Sequence, residues 1–251
     1  MFGLDPTALT LVIAITFFAG FVKGAIGFAM PMIMMSAFTA FLPGPTALAL
    51  LILPTFATNI AQAFRQGPTA ACASAHRFRL HILAVIAALA LSSQFVTGIP
   101  GNVMSGLLGA PILGFALWQL AGRPMAIRIE HRTRVEIILG LIGGLYGGIS
   151  GIWGPPLIVL LLSLHTEKQE MLRVQGVVFL IGSVALFAAH LTSGVLNAQT
   201  LPLSALIVLP ALIGNRAGLA VQDRLNAQTF RRWTLILLAL TGANLVRQAF
   251  L

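Results

Sequence analysis

The sequence predicts an all-α polytopic membrane protein made of two inverted repeats, each a glycine-broken re-entrant helical hairpin followed by three transmembrane helices. Three observations lead there. Of 251 residues, 58% are hydrophobic and only 8% charged, and the mean hydropathy is +0.95; water-soluble domains do not have this composition. Apolar stretches close to the ~20 residues needed to cross a hydrocarbon core of about 30 Å recur from end to end. Finally, a glycine cluster occurs twice. A shift of 124 residues places Gly20 on Gly144, Gly24 on Gly148, Gly27 on Gly151 and Pro31 on Pro155, with mostly apolar residues between.

Residues 7–42 form one apolar run, broken at the first glycine cluster and closed by Pro43-Gly44-Pro45. Nothing in Met1-Phe2-Gly3-Leu4-Asp5-Pro6 resembles the basic start of a secretory signal, so this run is expected to stay in the mature chain. A second segment, 46–64, contains Pro54, Asn59 and Gln62. The loop to Arg79 follows, with Arg65, His76 and Arg77. Segments 80–97 and 103–121 flank the uncharged turn at 97–102. The most polar stretch, with Arg123, Arg128, Arg132 and Arg134, divides an N-terminal repeat (1–122) from a C-terminal one (135–251), and residues 123–134 read as a cytoplasmic linker. The second repeat follows the same plan. A glycine-broken run spans 135–163, and a charged link carries His165, Glu167, Lys168, Glu170 and Arg173. Segments 174–192, 201–221 and 233–250 come next, with Asp223, Arg224, Arg231 and Arg232 in the last loop.

These charges argue topology. Cytoplasmic loops of membrane proteins are enriched in Lys and Arg, which places 65–79, 123–134 and 223–232 inside and the uncharged turns at 97–102 and 193–200 outside. Were 135–163 to cross once, every later loop would invert and the basic last loop would face out. A hairpin that enters and returns satisfies the rule everywhere. Its 29 residues would make two half-helices of about 14 residues, each roughly 20 Å long. The first copy is expected to be a hairpin by analogy. Each half then makes three crossings, an odd number, so the two copies insert in opposite senses, as in transporters whose midplane site lies between two rocking halves.

Glycine and proline interrupt helices through backbone freedom and a missing donor. Irregular backbone survives at membrane depth only where protein buries it or a polar cavity solvates it. Two readings follow for Gly20, Gly24, Gly27, Gly144, Gly148 and Gly151. They line a substrate site, or they let helices pack closely. On the first reading, Gly24, Gly27, Gly148 and Gly151 offer amides at the start of a half-helix, where the dipole favours an anion, and two hairpins meeting tip to tip would supply two such sets. Gly20, Pro31, Gly144 and Pro155 then act as hinges. Lys23 is the basic residue inside a glycine cluster, a candidate counter-ion for the substrate unless it snorkels to an interface. Asn59 and Gln62, one turn apart, are candidates to bond substrate oxygens or to glue helices. Gln175 and Ser183 are weaker equivalents in the second half. His190 is either a proton carrier or a head-group residue. Trp153 stacks on substrate, plugs the path or packs. Trp118 and Trp233 suit interface anchors, and Cys72 has no partner for an intramolecular disulfide.

The pattern Gly144-x-x-Gly147-Gly148-x-x-Gly151-x-x-Gly154-Pro155-Pro156-Leu157, its shorter copy Gly20-x-x-x-Gly24-x-x-Gly27 with Pro31, and the plan of two similar halves resemble the sulfite exporter TauE/SafE family over essentially the full length. The resemblance implies passage of small sulfur-containing or organic anions, such as sulfite, sulfonates or sulfoacetate, across a bacterial cytoplasmic membrane. Phe28, Ala29 and Met30 in the first copy and Trp153 in the second replace the glycine runs common in that family, which leaves room for side chains to contact a carbon skeleton.

The expected partners are therefore a small anion and membrane lipid. The net charge of +9 sits in short loops and reads as a topology signal and a lipid contact rather than a nucleic-acid surface. No metal-binding cluster and no P-loop occurs, so no cofactor and no direct use of ATP are expected. Homodimer formation is compatible with the sequence, although no residue marks a face. An anion channel is the alternative, since half-helices also build pores. An enzyme is disfavoured because titratable residues do not cluster in the apolar segments.

Overall fold

The computed structural model describes residues 5–221 and 227–250, and no strand occurs among the described residues. The loop positions Asp223 and Arg224 lie outside them. The helices are α1 Pro6–Ile26, α2 Met30–Phe38, α3 Gly44–Ala63, α4 Pro68–Arg77, α5 Arg79–Ser92 with a 3₁₀ extension Ser93–Gly98, and α6 Gly101–Leu120. Beyond the linker come α7 Arg132–Ser150, α8 Gly154–Ser163, α9 Lys168–Thr192, α10 Thr200–Leu206, α11 Val208–Val221 and α12 Ala227–Ala249. Local chemistry sets several ends. The Asp5 carboxylate accepts from the Ala8 amide at 2.8 Å and Pro6 opens α1, so an orphan donor is satisfied and a missing donor is placed where none is needed. Pro31 and Pro155 sit in the first turns of α2 and α8.

Six helical segments are long and apolar enough to cross a membrane: Pro6–Ile26, Gly44–Ala63, Arg79–Gly98, Gly101–Leu120, Gln169–Thr192 and Thr200–Val221. The protein is an all-α multi-pass membrane protein. The set differs from the expected one at two places. The first arm of the first glycine-broken run, α1, is itself long enough to cross. Conversely α12, whose apolar run is diluted by Asn244, Arg247 and Gln248, is not among the six, although it packs antiparallel along the spanning α6. A Cβ on Gly109 would lie 2.7 Å from Leu245 Cβ, and one on Gly242 would lie 2.8 Å from Leu113 N.

The chain forms two compact units, and each draws on residues from both sides of the linker. One comprises residues up to Pro54, Thr97–Pro124 and Val195 onward; the other comprises Thr55–Val96 and Met125–Gly194. In the first unit α1 packs on α11. In the second α7 packs on α5.

These two pairs are built alike. Gly24 of α1 abuts the Asn215 carbonyl and comes within a Cβ's reach, 2.8 Å, of Leu219 N, while Gly20 abuts the Ala211 carbonyl. A Cβ on Gly148 of α7 would lie 2.6 Å from the Leu89 carbonyl oxygen and 2.9 Å from Ser93 N, while Gly144 abuts the Val85 carbonyl. Adding 126 to positions 85, 89 and 93 gives 211, 215 and 219. The internal duplication is thus present at the level of individual backbone contacts. Within each pair both residue numbers rise together, so the helices are parallel and lie nearly backbone to backbone, as small residues permit.

The second unit also shows how the broken run folds. A Cβ on Gly143 would lie 3.6 Å from Pro156 Cβ, and one on Gly147 would lie 3.2 Å from Trp153 Cβ, so α8 turns back along α7. The end of α8 returns to the linker, where Ser163 Oγ accepts the Ile127 amide at 2.8 Å. The starts of α7 and α9 share one end. Arg77 pairs with Glu170 at 2.5 Å, and the Arg77 and Arg132 guanidiniums both lie over the Phe78 ring, 5.5 and 5.7 Å from its centroid. At the other end, Gln94 Nε2 donates to Thr192 Oγ1 at 3.3 Å. Helices α5, α7 and α9 therefore run the same way and α8 runs back between two of them. The arms are unequal, correcting the expected pair of half-helices of about 14 residues: α7 has 19 residues and α8 has 10, roughly 28 and 15 Å. The break falls late because α7 keeps its register against α5 until Gly148 has been used.

Candidate functional site

In the first unit the break occupies Gly27, Phe28 and Ala29. Gly27 has φ 87° and Ala29 φ 78°; the left-handed region is easy for glycine and strained for alanine. The Gly27 amide closes α1 by donating to the Lys23 carbonyl at 2.7 Å. Lys23, one turn before the break, is only 3% exposed. It does not snorkel to a surface. Phe28 meets Phe115 of α6 edge to face at 6.5 Å, and the methionines of α2 (Met30, Met32, Met34, Met35) are all buried.

In the second unit the break occupies Gly151, Ile152 and Trp153, with Gly151 at φ 70°. Its amide closes α7 on the Gly147 carbonyl at 2.7 Å. Ser150 Oγ donates to the Tyr146 carbonyl at 2.7 Å and accepts the Ile152 amide at 3.0 Å, which steers the chain out of the helix. The Trp153 indole is 3% exposed. It lies between glycines of two helices, Gly147 of α7 and Gly182 of α9, and meets Phe179 edge to face at 6.2 Å. Its Nε1–H has no hydrogen-bond partner among the described residues, and neither does Oε1 of buried Gln175. Gln175, Phe179 and Gly182 follow one another at helical spacing along one face of α9.

His190 is completely buried. A carbonyl only accepts, so in the neutral ring Nε2–H donates to the Gly148 carbonyl at 3.0 Å and Nδ1 accepts from Ser193 Oγ at 2.9 Å. The histidine ties α9 to the last turn of α7. Gln62 Nε2 donates to the Leu172 carbonyl at 3.2 Å, joining α3 to α9, and Asn59 is buried one turn before it. Ser183 bonds within its own helix to the Leu180 carbonyl. Trp118 and Trp233 are 47% and 66% exposed, and Cys72 is an exposed free thiol.

The expected amides are therefore not at the start of a half-helix. Gly24 and Gly148 lie in the last turn of the first arm, and Gly27 and Gly151 cap that arm at its C-terminal, negative end. The reason is steric. In both copies the glycine face is spent on a partner helix, and the break comes only when that face ends. The sequence reading missed the partners, Gly214 and Gly218 on α11 and Ala84, Ala88 and Ser92 on α5. A small residue at every fourth position was the signal.

Residues 12–245 match the family described as Sulfite exporter TauE/SafE. The chain belongs to the TauE/SafE sulfite exporter family. No curated protein and no solved structure matches it. As a TauE/SafE protein it is a multi-pass membrane transporter, and the two breaks, with Lys23 buried beside one and Trp153 inserted at the other, are irregular backbone within apolar segments. The 124-residue shift sets Lys23 on Gly147 and Ala29 on Trp153. In one copy the bulk is a lysine before the break and in the other an indole at its last residue.

Proposed function

We propose that this TauE/SafE protein carries a small sulfur-containing or organic oxyanion across the cytoplasmic membrane by alternating access, with its two halves as inverted repeats, each holding one glycine-broken segment. Lys23 in one unit, and Asn59 and Trp153 in the other, are the side chains that contact substrate in this reading, while Gly27 and Gly151, whose amides close α1 and α7, shape the breaks. Gly20, Gly24, Gly144 and Gly148 hold the breaks in place through their partner helices, and Pro31 and Pro155 start the second arms. The observation that carries this reading is Lys23, a basic side chain 3% exposed in a membrane-length helix, four residues before a left-handed break. An ionisable side chain buried within a membrane-length segment is expensive and is a functional-site candidate by default. The indole N–H of Trp153 adds a buried donor suited to an oxyanion, and the rings of Phe28 and Trp153 suit a short carbon skeleton.

The test is uptake into proteoliposomes of sulfite, thiosulfate, sulfoacetate and taurine, alongside thermal stabilisation of the purified protein by the same compounds. One anion should show saturable flux and countertransport, both lost in Lys23→Gln while the unliganded melting temperature holds. Unchanged transport in Lys23→Gln sinks the assignment of Lys23. Flux that neither saturates nor exchanges sinks alternating access.

A further inference from the structure

In the second unit, at the end where α5 and α7 begin, a cavity of about 330 Å³ is lined by His76, Arg77, Arg79, Leu80, Arg132, Thr133 and Glu136. That is the low end of the size range of small-ligand pockets. Three arginines and a histidine face one acid, Glu136, in its lining, and its construction adds to this excess. Helices α5 and α7 are parallel, so their N-terminal ends, each equivalent to about half a positive charge, lie together. The α5 end meets the C-terminal, negative end of α4 at Phe78, whereas the α7 end has no such neighbour in sequence. Phe78 and His131 provide no side-chain cap and neither first turn contains an acid. The first-turn residues are instead Arg79, Arg132 and Arg134, the unfavourable sign for a helix start.

The protein's own acids cover only part of this. Glu136, its side chain 4% exposed, is held by Arg132 at 2.6 Å, and Glu170 takes Arg77 at 2.5 Å. The buried Phe78 ring lies under the guanidiniums of both Arg77 and Arg132, fixing them while their side chains remain 46% and 43% exposed. Arg79 and His76 are exposed and make no ion pair or hydrogen bond among the described residues. We infer that this cavity is a binding site for a phosphate-class oxyanion, received by Arg79 with Arg77 and Arg132 held ready around it. The spanning segment Arg79–Gly98 starts at the cavity, which puts it at head-group level on the side that carries the basic loops. Basic pockets between helices at that level bind anionic lipid head groups, and a soluble phosphate offers the same oxygens.

The experiment measures the melting temperature of the purified full chain in dodecyl maltoside micelles. Two probes are titrated separately: inorganic phosphate, against chloride at equal ionic strength, and dioleoyl phosphatidylglycerol, against phosphatidylcholine. The variants are Arg79→Gln, whose exposed side chain leaves the fold intact, and Arg231→Gln, an exposed arginine of α12, as the control. The expected result is saturable stabilisation by at least one probe, with apparent affinity about fivefold weaker in Arg79→Gln, the loss of one basic side chain beside an anionic head group, and unchanged in Arg231→Gln. Stabilisation by phosphatidylglycerol alone names a lipid ligand, and stabilisation by phosphate names a soluble one. The proposal is overturned if neither probe exceeds its reference, or if both variants respond equally. None of these probes is a sulfur compound, so the result is independent of the transport assignment.

Discussion

Gly24→Ala separates packing from substrate binding at the first duplicated cluster. A Cβ at position 24 would fall inside the contact radius of the Asn215 carbonyl oxygen and lie 2.8 Å from Leu219 N and 3.0 Å from Asn215 C. All three are backbone atoms of α11, so no rotamer change relieves them. To bring Leu219 N alone to an ordinary 3.4 Å contact, α1 and α11 must part by more than half an ångström, and the carbonyl demands more. Overpacking a tight contact costs about 1–3 kcal/mol, and the upper end applies to rigid neighbours. The helix propensity gained on replacing glycine returns up to about 1 kcal/mol. The net loss is about 2 kcal/mol, or roughly 4–8 °C in melting temperature for a chain of this size. Gly114→Ala is the matched control. Position 114 lies in α6 with nothing within 4 Å of its would-be Cβ, so the same chemical change is neutral or stabilising by up to about 1 kcal/mol. Both are read by thermal unfolding in detergent. If Gly24→Ala melts with the parent but loses its response to substrate, the glycine is a binding residue and the packing argument is wrong.

The cross-brace and the topology can be tested in the same way. His190→Ala leaves the Gly148 carbonyl and Ser193 without their shared partner and is expected to cost about 1–3 kcal/mol, with His190→Gln recovering part of it; a loss of flux at constant melting temperature would instead make His190 a proton carrier. In intact cells, a membrane-impermeant maleimide is expected to spare Cys72 and, in a Cys72→Ser background, Glu167→Cys, while labelling Ala198→Cys; the reverse pattern refutes the hairpin topology.

Some features were legible in the sequence for simple reasons. Apolar length and basic loops report directly on membrane solvent, so the all-helical class and most of the spans could be read. The return of the second broken run could also be read, because one crossing would have put Arg231 and Arg232 with the wrong loops. What could not be read was which surface the glycines face. Gly24 and Gly148 look alike as packing residues and as amide donors, and only the partner helix distinguishes them. That partner lies roughly 190 residues away for Gly24 and 60 for Gly148, beyond any local pattern. Nor does hydropathy locate the breaks. The apolar runs continue through them, and α7 ends where its contact with α5 ends rather than at its midpoint. The basic cavity at Arg79 and Arg132 was read as loop charge for a similar reason, since the two residues meet only because α5 and α7 are parallel.

The exchange of helices between the halves has a consequence for folding. Residues 1–122 contain α1 and α5, and residues 135–251 contain α11 and all but the first three residues of α7, yet α1 packs on α11 and α7 on α5. Expressed alone, the first half would leave the Gly20 and Gly24 face without α11, and the Ala84, Ala88 and Ser92 face of α5 without α7. Lipid cannot replace such a face well, because backbone-to-backbone packing of small residues is what drives these helices together in a membrane. The two halves, expressed as separate chains, are therefore expected to be degraded singly and to co-purify when produced together, with Gly24→Ala or Gly148→Ala weakening recovery of the complex. A first half that is stable and monodisperse by itself would mean that α1 and α5 find partners within their own repeat, and the exchanged pairing would not be what holds this fold together.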